Sequence, residues 1–212
     1  MIEYFAMTIN SPATGPILDL AEDLLGPDVR FHHSKLNSKW AAGGEEVKWH
    51  QDIQFWPHTN YSPLTIGVYL QGVTDEMAPM GVLPGSHNRK LYDLADSDGN
   101  WTGALNADDL ERIDLDKVVW LKGTAGSVTI HSCRMILGSL PNASTKMRPL
   151  LLHTYSAADA NPTTNLMDGI PFSGQVVRGH EPGELRYDDE PCPVPPDFRE
   201  GYAPIFAVQQ KS

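Results

Sequence analysis

Cysteine is nearly absent from this chain. Cys133 and Cys192 are the only two in 212 residues. They lie too far apart for the close Cys pairs of a zinc site and are too few for a disulfide framework, which suggests a reducing compartment. Long apolar runs are lacking as well. No stretch approaches the ~20 apolar residues of a membrane span, and "MIEYFAMTINSPATGPILDL" has no basic start followed by an apolar core, as a signal peptide would. Basic residues are in deficit, with 16 Lys and Arg against 27 Asp and Glu and a formal charge of -11. That balance argues against nucleic acid and against a membrane surface as partners, since both attract basic patches. Internal repeats and low-complexity tracts are missing too. A cytoplasmic protein acting on a small molecule is the expectation these absences leave.

What is present is ordinary for a globular domain: 41% hydrophobic residues and 8% aromatic, enough for one core, so residues 1–212 read as a single domain. "PILDLAEDLLG" sets Ile17, Leu20, Ala21, Leu24 and Leu25 on one helical face, with Pro16 at the entry and Gly26 at the exit, so a helix is expected over about 16–26. Thereafter the segments are short, rich in β-branched and aromatic residues, and bounded by Gly, Pro, Asn or Asp: "VRFHHSKLN", "LTIGVYLQGV", "VVWLKG", "GSVTIHSCRMIL" and "RPLLLHTYS". "NADDLERI" predicts one or two helical turns capped by Asn106. Many short strands with few flanking helices predict a mainly β double sheet of jelly-roll type, its core at about 29–156. The Pro-rich, polar segment from about 160 to 212 reads as extended chain laid over that core.

One short motif carries chemistry. In "WHQD", His50 and Asp52 are two residues apart, so on an extended segment both side chains leave the same face and Gln51 leaves the other. An imidazole and a carboxylate together supply two ligands of a facial triad, the arrangement that leaves open positions on iron(II). Alone the motif is weak, because His and Asp fall two apart often by chance.

Its context is more specific. "WHQD" followed by "PHTN", then "PGSHN", then "GSLPNAS" with Arg148 beyond, resembles the phytanoyl-CoA dioxygenase family of iron(II) and 2-oxoglutarate-dependent oxygenases, from about residue 31 to residue 156. The resemblance implies a double-stranded β-helix, which is the jelly roll read above. It implies Fe(II) held by His50, Asp52 and a distal His, with 2-oxoglutarate as co-substrate and hydroxylation of a substrate carbon as the reaction. Its co-substrate carboxylate would pair with an Arg, here Arg148, for which a guanidinium fork is suited. Ser139 would assist, and His33, on the strand that borders the co-substrate in the family, is a further candidate. The family's distal His opens a His-Gly-Ser-x-x-Asn-x-Ser motif. Gly138, Ser139, Asn142 and Ser144 match it, and Arg148 falls eleven residues after the opening position. That opening position is Leu137.

His131 is the nearest substitute in sequence. On an unbroken strand the six residues to Leu137 would place it ~20 Å away at ~3.3 Å per residue, out of reach of a metal bond of ~2 Å. Only a sharp fold within "SCRMI" would bring it close, and a buried, hydrogen-bonded core His is the competing reading. His87 reads as part of a turn and His153 as facing away from Arg148. For His58 two readings stand, a pocket wall and a surface loop, and no role is argued for His32 or His180. Trp49, Phe55, Trp56 and Tyr69 could wall a pocket, though aromatics in strands are more often core.

Two departures from the family pattern stand out. Leu137 offers no lone pair, and only 49 residues precede His50, fewer than the family usually carries. Outer-sheet support would then be missing or come from a partner subunit, so a homo-oligomer is possible. Three functions are open: an active oxygenase, a relative with an impaired metal site that binds a small acid or does non-redox chemistry, and a scaffold. Retention of His50, Asp52, Ser139 and Arg148 argues against the scaffold, because a buried Arg aimed at a cavity serves no such role.

Overall fold

A computed structural model describes residues 11–164, 170–196 and 205–210. Helix α1 (Pro16–Leu25) precedes strands β1 (Val29–Lys39), β2 (Val47–Gln51), β3 (Leu64–Tyr69) and β4 (Met80–Val82). After helix α2 (Ala107–Glu111) come β5 (Val119–Leu121), β6 (Val128–Ser132), β7 (Ile136–Ser139), β8 (Arg148–Ala157) and β9 (Val176–Arg178), and a last short helix, α3 (Ile205–Gln209). The strands form a five-stranded sheet in the order β6-β3-β8-β1-β9 and a four-stranded sheet in the order β2-β7-β4-β5. All pairings are antiparallel. This is the expected double-sheet, mainly β fold.

Alternation along β1 and β8 explains how the larger sheet faces two environments. The register pairs Lys35 with Leu152, Asn37 with Leu150 and Lys39 with Arg148, so these six share the face turned toward the smaller sheet. On the opposite face Phe31, Tyr155, Leu64, Ile66 and Val68 form a core with Ile17, Leu18 and Ala21 of α1. The helix begins at Pro16 and ends at Gly26, whose N–H donates to the Glu22 carbonyl at 2.9 Å and whose φ of 95° suits glycine. Its buried stripe is rotated from the expected one: Leu18 is buried, whereas Leu24 is 56% exposed. Asn106 caps α2 by accepting from the Asp109 N–H at 2.8 Å.

The C-terminal segment is more regular than its composition suggests. Val176–Arg178 adds β9 to the edge of the larger sheet beside β1, and Arg178 binds Asp19 at 2.8 Å and also Glu22, tying that edge to α1. Helix α3 docks against β2 through Gln209, which accepts from the Lys48 N–H at 2.8 Å and donates to the carbonyls of Lys48 at 3.2 Å and Gly103 at 2.8 Å. The described part of the segment expected as extended chain thus includes a strand and a short helix: four apolar residues, Val176, Val177, Ile205 and Val208, are enough once a sheet edge and a strand face receive them.

Candidate active site

Between the two sheets lies a cavity of about 430 Å³, part of it open to solvent. His50, Asp52, His131, Leu137, Ser139 and Arg148 all line it, beside Lys35 and Asn37 of β1 and Ile205 of α3. His50 ends β2, and Asp52 opens the 3-10 turn Asp52–Gln54 that follows. Gln51 points the other way, as the alternation requires: its amide donates to the Arg134 carbonyl at 2.8 Å and its oxygen accepts from the Tyr92 N–H at 2.9 Å. That clamp fixes the strand end and so aims His50 and Asp52 inward.

The tautomer of His50 is set by its neighbour. Nδ1 lies 2.8 Å from the Lys48 carbonyl, which can only accept, so Nδ1 carries a hydrogen and Nε2 is the nitrogen available to a metal. This is the tautomer of a metal-binding histidine, whose second nitrogen is held by a carbonyl or carboxylate. Nε2 is 3.4 Å from Asp52 Oδ1.

His131 stands on the far side of the same carboxylate, with Nε2 3.3 Å from Asp52 Oδ2. The ~20 Å separation expected for an unbroken strand is overturned, because the chain turns a corner. β6 ends at Ser132 in the larger sheet and β7 starts at Ile136 in the smaller one, and the turn is closed by Met135 N–H to the Ser132 carbonyl at 3.0 Å. The sharp fold within "SCRMI" is therefore present. His131 is 4% exposed, and its Nδ1 meets no partner among the described residues. Burial raises the pKa of the Asp52 carboxyl, but hydrogen bonds with His131 and His50 and the charge of Lys35 outweigh it and hold the group well below the usual carboxylate range.

Leu137 is the direct cross-strand partner of His50. It lines the cavity and packs with Met80 and Val82. A side chain here lies beside His50 and faces the space in front of Asp52, yet it is a hydrocarbon. Among the described residues no group of three or more His, Cys, Asp or Glu side chains is arranged to hold a metal ion.

The other end of the cavity is cationic. Arg148 is 2% exposed, and its Nε and Nη1 have no hydrogen-bond partner among the described residues. A buried guanidinium with idle donors is costly unless an anion completes it. Beside it, Lys39 is 1% exposed; its Nζ donates to Ser139 Oγ at 2.7 Å, to the Ser139 carbonyl at 3.3 Å and to the Leu140 carbonyl. Burial, and next the charge of Arg148, bring the Lys39 pKa down to about 7, with Glu46 opposing. Asn142 and Ser144 have a structural task. The Asn142 amide donates to the carbonyls of Lys39 and Lys146, and its oxygen accepts from the Ser144 N–H and hydroxyl, which knots the loop that delivers Arg148.

The remaining candidates fall outside the cavity wall. His33 is 1% exposed and sits one register step from Lys35, with its Nδ1 2.6 Å from that of His32. His58 bonds the Trp56 carbonyl at 2.8 Å and lies in ring contact with His32. Burial lowers the pKa of His33 to about 3 and that of His58 to about 4, and holds His32 well below its usual value. His153 faces away from Arg148, as expected, and contacts Ser34 Oγ at 2.5 Å. Trp49, Phe55, Trp56 and Tyr69 pack in the core and do not line the cavity. His87 lies in the 3-10 turn Ser86–Asn88, and His180 is on the surface.

Two charged residues escaped the reading of the sequence. Lys35 and Lys39 alternate with Asn37 on the inward face of β1, and a strand that sends three polar side chains toward a core is itself a sign of a site.

The chain belongs to the phytanoyl-CoA dioxygenase (PhyH) family, which it matches over residues 9–150. Among curated proteins it is 37% identical, over 84% of its length and 63% of the relative's, to a probable alpha-ketoglutarate-dependent hypophosphite dioxygenase of Stutzerimonas stutzeri. It is 30% identical, over 76% of its length and 65% of the relative's, to the L-proline trans-4-hydroxylase of Streptomyces griseoviridis. Among solved structures it is similar to EctD from S. alaskensis with 2-oxoglutarate and 5-hydroxyectoine, at 26% identity and a TM-score of 0.57, over 80% of this chain and 59% of that one. The chain thus spans 63% and 65% of the lengths of these two curated relatives.

Proposed function

We propose that this chain is an iron(II)/2-oxoglutarate-dependent dioxygenase of hydroxylase type acting on a small molecule. The observation that carries the reading is the pairing, in one cavity, of His50 Nε2 beside Asp52 at one end with a buried Arg148 guanidinium, its Nε and Nη1 without partners among the described residues, at the other. His50 and Asp52 are the protein's metal ligands in this reading. Arg148 receives the distal carboxylate of 2-oxoglutarate as a bidentate pair, and the Ser139 hydroxyl adds a hydrogen bond. Iron(II) and 2-oxoglutarate together supply oxygen activation coupled to decarboxylation of the co-substrate to succinate.

The chain's own share is positioning. His131 Nε2–H holds Asp52 Oδ2 and leaves Oδ1 beside His50 for the metal, the role a hydrogen-bonded neighbour plays in orienting a ligating carboxylate. Leu137, Leu150 and Leu152 line the space between the two ends with hydrocarbon. The relatives act, by their names, on hypophosphite and L-proline, and a cavity lined by Lys35, Asn37 and Arg148 beside leucines suits a substrate of that small, polar kind.

Leu137 favours a second reading, a relative that binds the dicarboxylate but holds iron too weakly for turnover. Binding and succinate formation separate the two. Isothermal titration with 2-oxoglutarate reports the Arg148 site, and succinate released from 2-oxoglutarate with iron(II) and oxygen reports the chemistry. Binding with succinate above a no-enzyme control supports the oxygenase. Binding without succinate supports the impaired relative, and absence of binding refutes both.

A further inference from the structure

Strand β1 sends Lys35, Asn37 and Lys39 toward the smaller sheet, and their register partners on β8 are Leu152, Leu150 and Arg148. Four residues at ~3.3 Å each set Lys35 roughly 13 Å along the strand from the Lys39 and Arg148 pair. Lys35 therefore belongs to the other end of the cavity. There its charge acts on Asp52 and on His33. It is half-buried and lines the cavity, yet among the described residues its Nζ makes no hydrogen bond or ion pair. The nitrogens that approach the Asp52 carboxylate belong to His50 and His131, at 3.4 and 3.3 Å.

The charges of the loaded cavity do not cancel. When 2-oxoglutarate is bound, its distal carboxylate meets Arg148, one charge against one. Its other carboxylate and Asp52 together offset the two charges of iron(II), toward which a histidine ligand is neutral. Both ends are then balanced, and Lys35 is left over. Lys39, brought down to about 7 by burial, adds to the positive excess or leaves it as it is. In the unloaded protein Lys35 offsets Asp52 from a distance. Once a metal claims that carboxylate, the ammonium has no counter-charge beside Leu150 and Leu152, which line the cavity with it.

We propose that Lys35 selects the substrate: the molecule that this chain oxidises carries one oxyanion group, a carboxylate or a monoanion of similar shape, which accepts from Lys35 Nζ and from the Asn37 amide while its apolar part lies along Leu150 and Leu152. The inference rests on the co-substrate reading above, since the balance holds only with a dicarboxylate on Arg148, and it adds the chemical class of the substrate. A neutral molecule would leave the ammonium uncompensated, and a cation would be repelled.

The test uses the full chain with nickel(II) and saturating 2-oxoglutarate, which fills the Arg148 site without turnover. Saturation-transfer NMR titrations then compare propionate with its neutral isostere, propionamide. Propionate should bind at least about tenfold more tightly, the margin between a charge-assisted hydrogen bond and a neutral one. Lys35→Met should bring the two ligands to equal affinity, and Lys35→Arg, which keeps the charge, should preserve the preference. Affinity for 2-oxoglutarate, followed by calorimetry in the same variants, should stay within about threefold, as expected of separate sites. Equal affinities in the native protein overturn the inference while leaving the co-substrate reading intact, as does a preference for propionate that survives Lys35→Met. A fall in 2-oxoglutarate affinity as large as the fall for propionate overturns it too, because Lys35 would then serve the co-substrate. A native protein that binds no 2-oxoglutarate overturns both readings. The native comparison does not depend on any variant folding.

Discussion

Replacing Leu137 by His tests the site at its weakest point. Leu137 is the register partner of His50 and faces the space before Asp52, so an imidazole there completes a His, Asp, His set on one face. Losing an orienting neighbour already costs ~10 to 100-fold in metal affinity, so gaining a direct ligand should bring at least that, about 1.4 to 2.7 kcal/mol. The substitution also removes an apolar side chain that is 7% exposed and packs on Met80 and Val82, a loss of about 2 kcal/mol in the metal-free protein. The variant should therefore melt below the native protein without metal and recover most of the difference at a metal concentration of 100 times Kd, which contributes about 2.7 kcal/mol. Anaerobic titration with iron(II) in saturating 2-oxoglutarate, followed by the visible absorption of the chelate, measures the affinity directly. A folded Leu137→His protein that binds no more tightly than the native one refutes the assignment of residue 137 to the metal face. It would leave His50 and Asp52 without a coordinating neighbour on β7.

Other outcomes follow from the same geometry. Arg148→Met should weaken 2-oxoglutarate binding by at least about 100-fold, the loss of a charge-assisted bidentate pair, while the ligand-free protein melts no lower, because an unsatisfied buried cation is gone; a drop in ligand-free melting temperature with unchanged binding would contradict this. His131→Ala should lower metal affinity about 10 to 100-fold with 2-oxoglutarate affinity unchanged, read by parallel titrations with nickel(II) and with 2-oxoglutarate. Acid should unfold the protein through its neutral core histidines. His33 and His58 titrate at about 3 and about 4 in the fold against an ordinary 6.5, so their stabilising contribution is complete above pH 6.5 and is lost as pH falls below it. Each histidine then removes up to about 1.4 kcal/mol per pH unit, and urea midpoints measured from pH 7 to pH 5 should fall steadily. A flat profile would show that these rings are solvated.

The class of fold and the two ends of the site were readable from local patterns. The two-residue period of a strand put His50 and Asp52 on one face, but their weight as ligands, and the roles of Arg148 and Ser139, came from the resemblance of the ordered motifs to a known family. His131 was misplaced for a definite reason. The corner at Cys133–Met135 carries no Gly or Pro, so nothing in "HSCRMIL" marks the passage from one sheet to the other, and that corner is held by contacts remote in sequence, such as Ile53 N–H to the Cys133 carbonyl at 2.9 Å. Lys39 was passed over because a lysine in a strand is normally a solvated one, and its burial depends on β7 and β8, which arrive about a hundred positions later. Strand β9 and helix α3 are too short to show a period. Their existence is decided by the sheet edge and strand face that accept them.

The Lys48 carbonyl accepts from both His50 Nδ1 and the amide of Gln209. One oxygen thus joins the strand that carries His50 to a residue 161 positions further along the chain. While the protein emerges from the ribosome, His50 can take up its bond to Lys48, but β2 stays ungripped until Gln209 arrives to hold both the N–H and the carbonyl of Lys48. The wall of this pocket is therefore finished only when residue 209 has joined β2, long after the ligands themselves have appeared.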